Sequence, residues 1–500
     1  MMKRTAIALG ALFAAVLLGT AEAKAEKTLS VGMYSDFNGF NLFKTKAMTP
    51  GTLIVATSMM EGLYAYDYKT QKIVPRLAID FKEADDRKSV VIKLRPNVTF
   101  HDGTAFNAEA VVSHYSRLMD PASGMGYDRA VFVALDHVEA VDDLSVRFVL
   151  KRPWPGLQSA LALDYETNLI GSPKALKDDP DGFNRHPVGT GPFVFSEWQS
   201  GDRLVIVKNT RYWDSSVPGV DRVVYRILPD GNTRYSSLIA GGIDIMWTDN
   251  PAQVADANRT PGLHVLKYEG ASAYGFVFNT SKPPFNDPRV RSAVVHSFDG
   301  KALVEGFLQG QGSVAHDYFP NSPWSCDSLN WKSYNPAKAE ELVKSIVQPV
   351  KVTLTGFATP SGRRLVGIAQ QFMTTANIQV DIRMIEPSVA GGKVATGDFE
   401  MMQWRFTDGG GEPDIRFRLG NFTATRYSNP KVTELLDKAS NITDPSQRKA
   451  IYCDVSQIMS DDAPMLLPVH VPDFLIARDV VLDLPPNQNN MIRVRGAELQ

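Results

Sequence analysis

The sequence predicts an α/β fold with mixed sheets, on three observations. First, "VKVTLTGF", "SGRRLVGIAQQFMTTAN" and "IQVDIRMIE" read strand, helix, strand. The helix is too long for a hairpin loop, so the two strands are expected to run parallel in one sheet. Second, "HVEAVDDLSVRFVL" reads as an antiparallel hairpin turning at Asp142-Asp143. Third, amphipathic helical runs alternate with strands along the whole chain, without an internal repeat or low-complexity block. Such mixed grammar suits lobes that share the chain back and forth.

In chain order, "TLSVGMY" alternates Leu29, Val31 and Met33 to one face and is expected as a strand. Thr49 and Pro50 supply an N-cap and first helical position for a helix expected to reach Glu61, before Gly62. "SVVIKLR" is a strand. Asn107 caps an amphipathic helix with Val111, Tyr115 and Leu118 on one face and Pro121 just past its end. "PSQRKAIYCDVSQIMSDD" is a further amphipathic helix. "MLLPVHVPDFLIA" has strand character that Pro468 and Pro472 are expected to break.

The 500 residues are 44% hydrophobic and 22% charged, ordinary globular composition. At about 150 residues per domain, two to four domains or lobes are expected. A formal net charge of −2 and the absence of a Lys/Arg run argue against a nucleic-acid partner. Residues 1–25 read as a secretory signal peptide: Lys3 and Arg4, an apolar run from Ala6 to Leu18, then two A-x-A sites that cut after Ala23 or Ala25. The apolar run is shorter than the ~20 residues that span a bilayer. An exported chain leaves Cys326 and Cys453 free to pair in an oxidising compartment, but sequence leaves two unpaired buried thiols equally open.

Motifs for chemistry are sparse. "PVGTGPFVF" offers two glycines but follows Gly191 with Pro192, which has no N–H for a phosphate, and "FVFSEW" continues as a strand. It is expected as a corner feeding a hairpin through "QSGD" into "RLVIVKN". Ser446 and Lys449 form S-x-x-K, and Tyr427-Ser428-Asn429 a Y-x-N, but in the wrong order for penicillin-binding enzymes and without K-T-G. The eight histidines show no H-x-x-H or H-E-x-x-H, so no metal or other cofactor is expected. His101-Asp102-Gly103 reads as a turn after a strand. No nucleophile–base constellation is recognisable, so the chain is not expected to be an enzyme; a secreted hydrolase is the rival class.

Five stretches carry a resemblance: "GLYAYDYKTQKIVPRLAIDF", "VIKLRPNVTFHDGTAFNAEAVV", "PVGTGPFVFSEW" with "NTRYW", "FNTSKPPFNDPRVRSAVVHSFDGKALV" and "YNPAKAEELV". In that order they resemble the solute-binding proteins of peptide/nickel-type ABC importers, the dipeptide- and oligopeptide-binding group of family 5. The resemblance implies a two-lobed periplasmic-binding-protein fold. Lobe I would comprise residues 26–278 and 472–500, with an extra subdomain inserted at about 62–186, and lobe II residues 279–471. It implies a monomer that encloses a small solute between its lobes, a di- or oligopeptide first, and delivers it to permease subunits in the inner membrane. A nickel chelate, an opine or a sugar-type solute is the alternative.

The resemblance also implies site residues. The family's ligand loop follows a tryptophan strand, here "EMMQWRFTDGGGEPD". Asp408 is the candidate for the ligand's amine through a charge-assisted hydrogen bond, and it also suits the start of a Gly-rich turn. Trp404 is placed to stack on ligand or face a cation. Arg405 is placed for an acidic group or for a solvated strand edge. Dipeptide binders carry an arginine for the ligand carboxylate just before the second lobe's helix. This chain has "TGFATPSG" there, and the first arginines are Arg363 and Arg364, so a strict dipeptide specificity is not implied. Tyr34, ending the first strand, completes the set.

Overall fold

The computed structural model describes residues 26–45, 48–123, 131–163, 165–217, 219–347, 349–406, 412–413, 422–484 and 491–500. The candidate signal segment 1–25 lies outside them. The strands are β1 (Thr28–Met33), β2 (Tyr64–Asp67), β3 (Lys72–Pro75), β4 (Ala78–Glu83), β5 (Ser89–Leu94), β6 (Leu135–Asp142), β7 (Ser145–Leu150), β8 (Phe193–Gln199), β9 (Arg203–Lys208), β10 (Arg222–Ile227), β11 (Ile245–Thr248), β12 (Leu263–Phe278), β13 (Ser313–Val314), β14 (Lys351–Phe357), β15 (Gln379–Ile385), β16 (Met401–Phe406), β17 (Met465–Arg478), β18 (Val481–Asp483) and β19 (Glu498–Leu499). The helices that matter here are α1 (Pro50–Met59), α2 (Ala108–Met119), α3 (Gly231–Ile239), α4 (Pro251–Ala257), α5 (Pro288–Ser297), α6 (Pro360–Thr375), α7 (Pro430–Ser440) and α8 (Pro445–Asp462).

One long mixed sheet organises the chain, in the order β15-β14-β16-β12-β17-β11-β1-β10-β9-β8, with β13 beside β17. A four-stranded antiparallel sheet, β4-β5-β7-β6, stands apart from it. As expected, β14 and β15 are parallel and joined by α6. The β6–β7 hairpin turns at Asp142-Asp143, where the Asp142 carboxylate accepts from Leu144 N at 2.9 Å. One core gathers buried side chains from Leu29 to Trp247 and from Leu475 to Ala497. Two more gather residues 273–471 on alternate positions of β12, Tyr274 and Phe276 to one face and Ala273 to the other. These define a first and a second half.

β12 and β17 connect the halves. They pair antiparallel from Leu263↔Arg478 to Val277↔Met465. The two prolines do not break β17: it is one strand, buried from Met465 to Ala477. The reason lies in its partner. The register shifts between Tyr268 and Ser272, opposite Pro472, and between Tyr274 and Phe276, beside Pro468. Each proline, lacking an N–H, falls where the ladder is already irregular.

Local signals explain the helices. Thr49 caps α1 by accepting from Thr52 N, and Asn107 caps α2 by accepting from Ala110 N. Val111, Tyr115 and Leu118 of α2 are fully buried. α1 stops at Met59, short of Glu61, because Glu61 turns inward. Its carboxylate collects bonds from Thr190 Oγ1, Tyr212 OH, Trp213 Nε1 and Arg495 Nη1.

The "PVGTGPFVF" stretch is a corner packed on the end of α1. Gly191 N donates to Met59 O at 2.9 Å. A Cβ on Gly189 would lie 2.1 Å from Met59 O, and one on Gly191 2.7 Å from Met59 C. The glycines are there for close backbone approach. His101 completes the corner: its Nε2 bonds Gly191 O at 3.0 Å and its Nδ1 accepts from Gly189 N. Ser446 stands in the first turn of α8, while Tyr427 and Asn429 both bond Asp462, so neither triplet forms a hydrolase site. Cys326 and Cys453 are paired in a disulfide, Cα atoms 5.6 Å apart, which ties the segment after β13 to α8.

Candidate functional site: a buried charge network between the halves

Where β12 and β17 pass from one half to the other, six chain segments bring polar side chains together. β1 ends on Tyr34. β11 carries Trp247 and is followed by Asp249. β17 contributes Asp473, β12 Ser272 and Tyr274, β16 Arg405, and the first turn of α6 Ser361. The β12–β16 register pairs Tyr274 with Arg405, which puts both on one face.

The network is dense. Arg405 Nη2 meets Asp473 Oδ1 at 2.5 Å. Trp247 Nε1 donates to the same oxygen at 3.1 Å, and Ser272 Oγ to Oδ2 at 3.3 Å. The Arg405 guanidinium sits 5.3 Å from the Trp247 ring centre and 5.4 Å from that of Tyr274. Tyr34 packs on Trp247 with ring centres 5.2 Å apart. Asp249 Oδ2 accepts from Ser361 Oγ at 2.8 Å and from Tyr274 OH at 3.2 Å.

Electrostatics follow from burial. Asp473 is 1% exposed. Burial opposes the charge on Arg405, but Asp473, with Tyr274 and Asp249 behind it, outweighs burial and holds the guanidinium above its usual range. Burial pushes the Tyr34 and Tyr274 hydroxyls up, so both remain protonated donors. Arg405 Nε is buried and has no hydrogen-bond acceptor. An enclosed donor of this kind suits an acceptor oxygen on a small molecule.

Of the residues expected from sequence, Tyr34 and Arg405 come together around Trp247. Trp404 pairs with Gly275 on the opposite face of the sheet and packs toward Val277, Phe399 and Met402. Arg363 is exposed, its Nη2 turned back on Ala358 O at 3.5 Å. Arg364 lies over the Phe307 ring at 5.2 Å. Asp408 lies outside the described residues. Near that loop, Glu412 is buried and bonds Arg448 Nε at 2.6 Å and Tyr452 OH at 2.7 Å, both on α8 beside Cys453.

Sequence reasoning missed Trp247, Asp249, Ser272, Tyr274, Ser361 and Asp473. Only Asp473 left a trace, a single carboxylate inside an apolar strand. A cavity of about 350 Å³ opens elsewhere in the second half, lined by Phe298, Lys301, Tyr318, Trp331 and Pro468 among others. No member of the charge network lines it; convergent buried polar groups mark the site better than volume does. Among the described residues no group of three or more His, Cys, Asp or Glu side chains is placed to hold a metal, and no helix is long and apolar enough to cross a membrane.

Comparison with known proteins bears on this geometry. The profile of the bacterial extracellular solute-binding proteins, family 5 (middle region) matches residues 72–427. The chain is 28% identical over 430 residues to a glutathione-binding protein of Pectobacterium atrosepticum, covering 82% of this chain and 83% of that one. It is 27% identical over 471 residues to heme-binding protein A of Haemophilus influenzae, covering 86% and 85%. In structure it is similar to the ABC transporter-associated periplasmic binding protein DppA of Helicobacter pylori, solved with the peptide STSA. The TM-score there is 0.88 at 23% identity, covering 95% of this chain and 98% of that one. A match over residues 72–427, with a buried site between two halves, makes the chain a member of the family 5 bacterial extracellular solute-binding proteins, which bind their solutes and are not enzymes.

Proposed function

We propose that the protein captures a peptide-like solute between its halves and hands it to the permease of an ABC importer. The observation that carries this reading is the Arg405 network. It is buried, built from both halves, and leaves one guanidinium donor, Arg405 Nε, for an acceptor such as a peptide carbonyl. The H. pylori neighbour, solved with a peptide, supports the same class of solute. In this reading lobe I is residues 26–278 and 472–500, with the subdomain at about 62–186, and lobe II is residues 279–471; the separate cores on either side of β12 and β17 support the division. Tyr34 and Arg405 face the solute, and Asp408 meets its amine. Residues 1–25 export the chain to the periplasm, where it works as a monomer.

Capture and release set the affinity scale. Micromolar binding corresponds to about −8 kcal/mol, enough to hold a solute and still give it up. The solute must also favour the closed arrangement over the open one, since only differential affinity shifts such an equilibrium. The test is to purify the protein from its native compartment, unfold it and identify the released molecule by mass spectrometry. An intact peptide at one per chain is expected. A nickel chelate, opine or sugar overturns the peptide reading, and a cleaved product overturns transport.

A further inference from the structure

Asp249 joins the halves from inside. It follows β11 in the first half, yet its Oδ2 is gripped by Ser361 Oγ, in the first turn of α6, and by the buried Tyr274 OH. α6 runs 16 residues, and its cap, Thr359, accepts from Gly362 N. The start of such a helix carries partial positive charge and unpaired N–H groups, a setting that stabilises an anion. Here the protein supplies the anion itself, from the other half. Beside it, the buried Arg405–Asp473 pair also crosses between the halves; other side-chain links among the described residues lie at the solvent-exposed rim: Gln71 to Asn321 O, Arg87 to Asn441 O, and Arg152 near Asp437. Contacts of that kind contribute little.

Two buried arginines lie within electrostatic reach of Asp249: Arg405, and Arg234 of α3, which gives Nη1 to Leu228 O and Pro229 O and has Asp249 as its main charge partner. Arg405 gives Nη2 to Asp473 and keeps only Nε without an acceptor. A solute carboxylate arriving at the start of α6 would meet Asp249 there and Asp473 close by; Arg405 is paired with Asp473, and the charge of Arg234 is already offset by Asp249. Two carboxylates cannot share one such site without one giving up its charge or its place.

We propose that Asp249 is an internal anion occupying the start of α6 in place of a solute carboxylate. It holds the halves together without solute, and it selects solutes that bring a neutral group to that end. This is a positioning and specificity role for one residue, and its selectivity arm rests on the solute-binding reading above.

The test uses the full-length mature protein freed of solute. Small-angle scattering of the wild type is expected to show the compact form, with a radius of gyration of about 23 Å. Asp249→Ala is expected to give a larger radius. Acetate should return it to the compact value, whereas chloride at equal ionic strength and the neutral analogue acetamide should not. The wild type should ignore all three. Far-UV circular dichroism and a melting curve establish that the variant is folded, and Ser361→Ala, which removes one donor and keeps the carboxylate, should open less. Identical scattering from wild type and Asp249→Ala, or an equal response of both to acetate, overturns the proposal.

The selectivity arm compares trialanine with its C-terminal amide. The wild type should bind the amide roughly tenfold more tightly, as like charges brought together cost affinity, and Asp249→Ala should lose that preference. A wild type that prefers the free acid overturns the proposal. If neither probe binds, the peptide reading fails while scattering and acetate still decide the role of Asp249.

Discussion

Replacing Asp473 by Asn tests how far the network depends on charge. The substitution keeps the side chain's size. An amide oxygen can still accept from Arg405 and Trp247, and an amide nitrogen can donate to Ser272 Oγ, so all three hydrogen bonds survive in kind. Only the charge is removed. Two unit charges about 4 Å apart interact by about 4 kcal/mol at an effective dielectric of ~20. Breaking a buried pair from one side typically costs about 3–5 kcal/mol. Asp473's side chain is fully buried, but Arg405's is 17% exposed and recovers some solvation, so the expected loss is about 3 kcal/mol. Arg405→Met should cost a similar amount, because it strands Asp473. The double variant should be more stable than the sum of the singles predicts, by about 2 kcal/mol. Urea unfolding followed by tryptophan fluorescence is suitable, since Trp247 sits in the network and reports on it directly. Single costs that add to the double within about 0.5 kcal/mol would show that the pair is not coupled and refute the argument.

Three further outcomes follow from local geometry. Gly191→Ala puts a Cβ 2.7 Å from Ser58 O and Met59 C, backbone atoms that cannot swing away, so a loss of about 1–3 kcal/mol is expected; Gly306→Ala, with nothing within 4 Å, is the neutral control, and equal melting points would discount the clash. Burial holds the His114 imidazole at about 4, below its ordinary 6.5, so the native state binds fewer protons than the unfolded state between those values. Stability is then complete above about pH 6.5 and falls toward pH 4 by up to about 1.4 kcal/mol per pH unit for this group; His114→Gln, which can still donate to Thr167 O, should flatten that part of the profile, and an unchanged slope would remove His114 as its source. The disulfide closes a separation of 127 residues, for which chain entropy alone gives about 5 kcal/mol; reduction should lower the melting point, and two free thiols on the unreduced, unfolded protein would contradict the pairing.

What was legible in the sequence was whatever is encoded locally. α8 spans the segment quoted for it, Pro445–Asp462, because Asp444 caps it and Pro445 opens it. The parallel pairing of β14 and β15 was readable because a helix-length insert leaves no other connection. The reading failed where the deciding fact sits on another strand. Pro468 and Pro472 read as breaks because the irregular register of β12 is invisible from β17. The site is the extreme case. Ser361 and Asp249 are 112 positions apart, Trp247 and Asp473 226, and Arg405 and Asp473 68. Bonds over such separations impose no spacing on any one segment. Tyr34 and Arg405 were found through the family's strand ends, and their partners were not. Still, burial leaves one trace: a carboxylate is rarely placed inside a strand buried over 13 of its 14 residues unless a cation is built to meet it. Asp473 therefore announced that a cation would cross from the other half, and only the fold could say that it was Arg405.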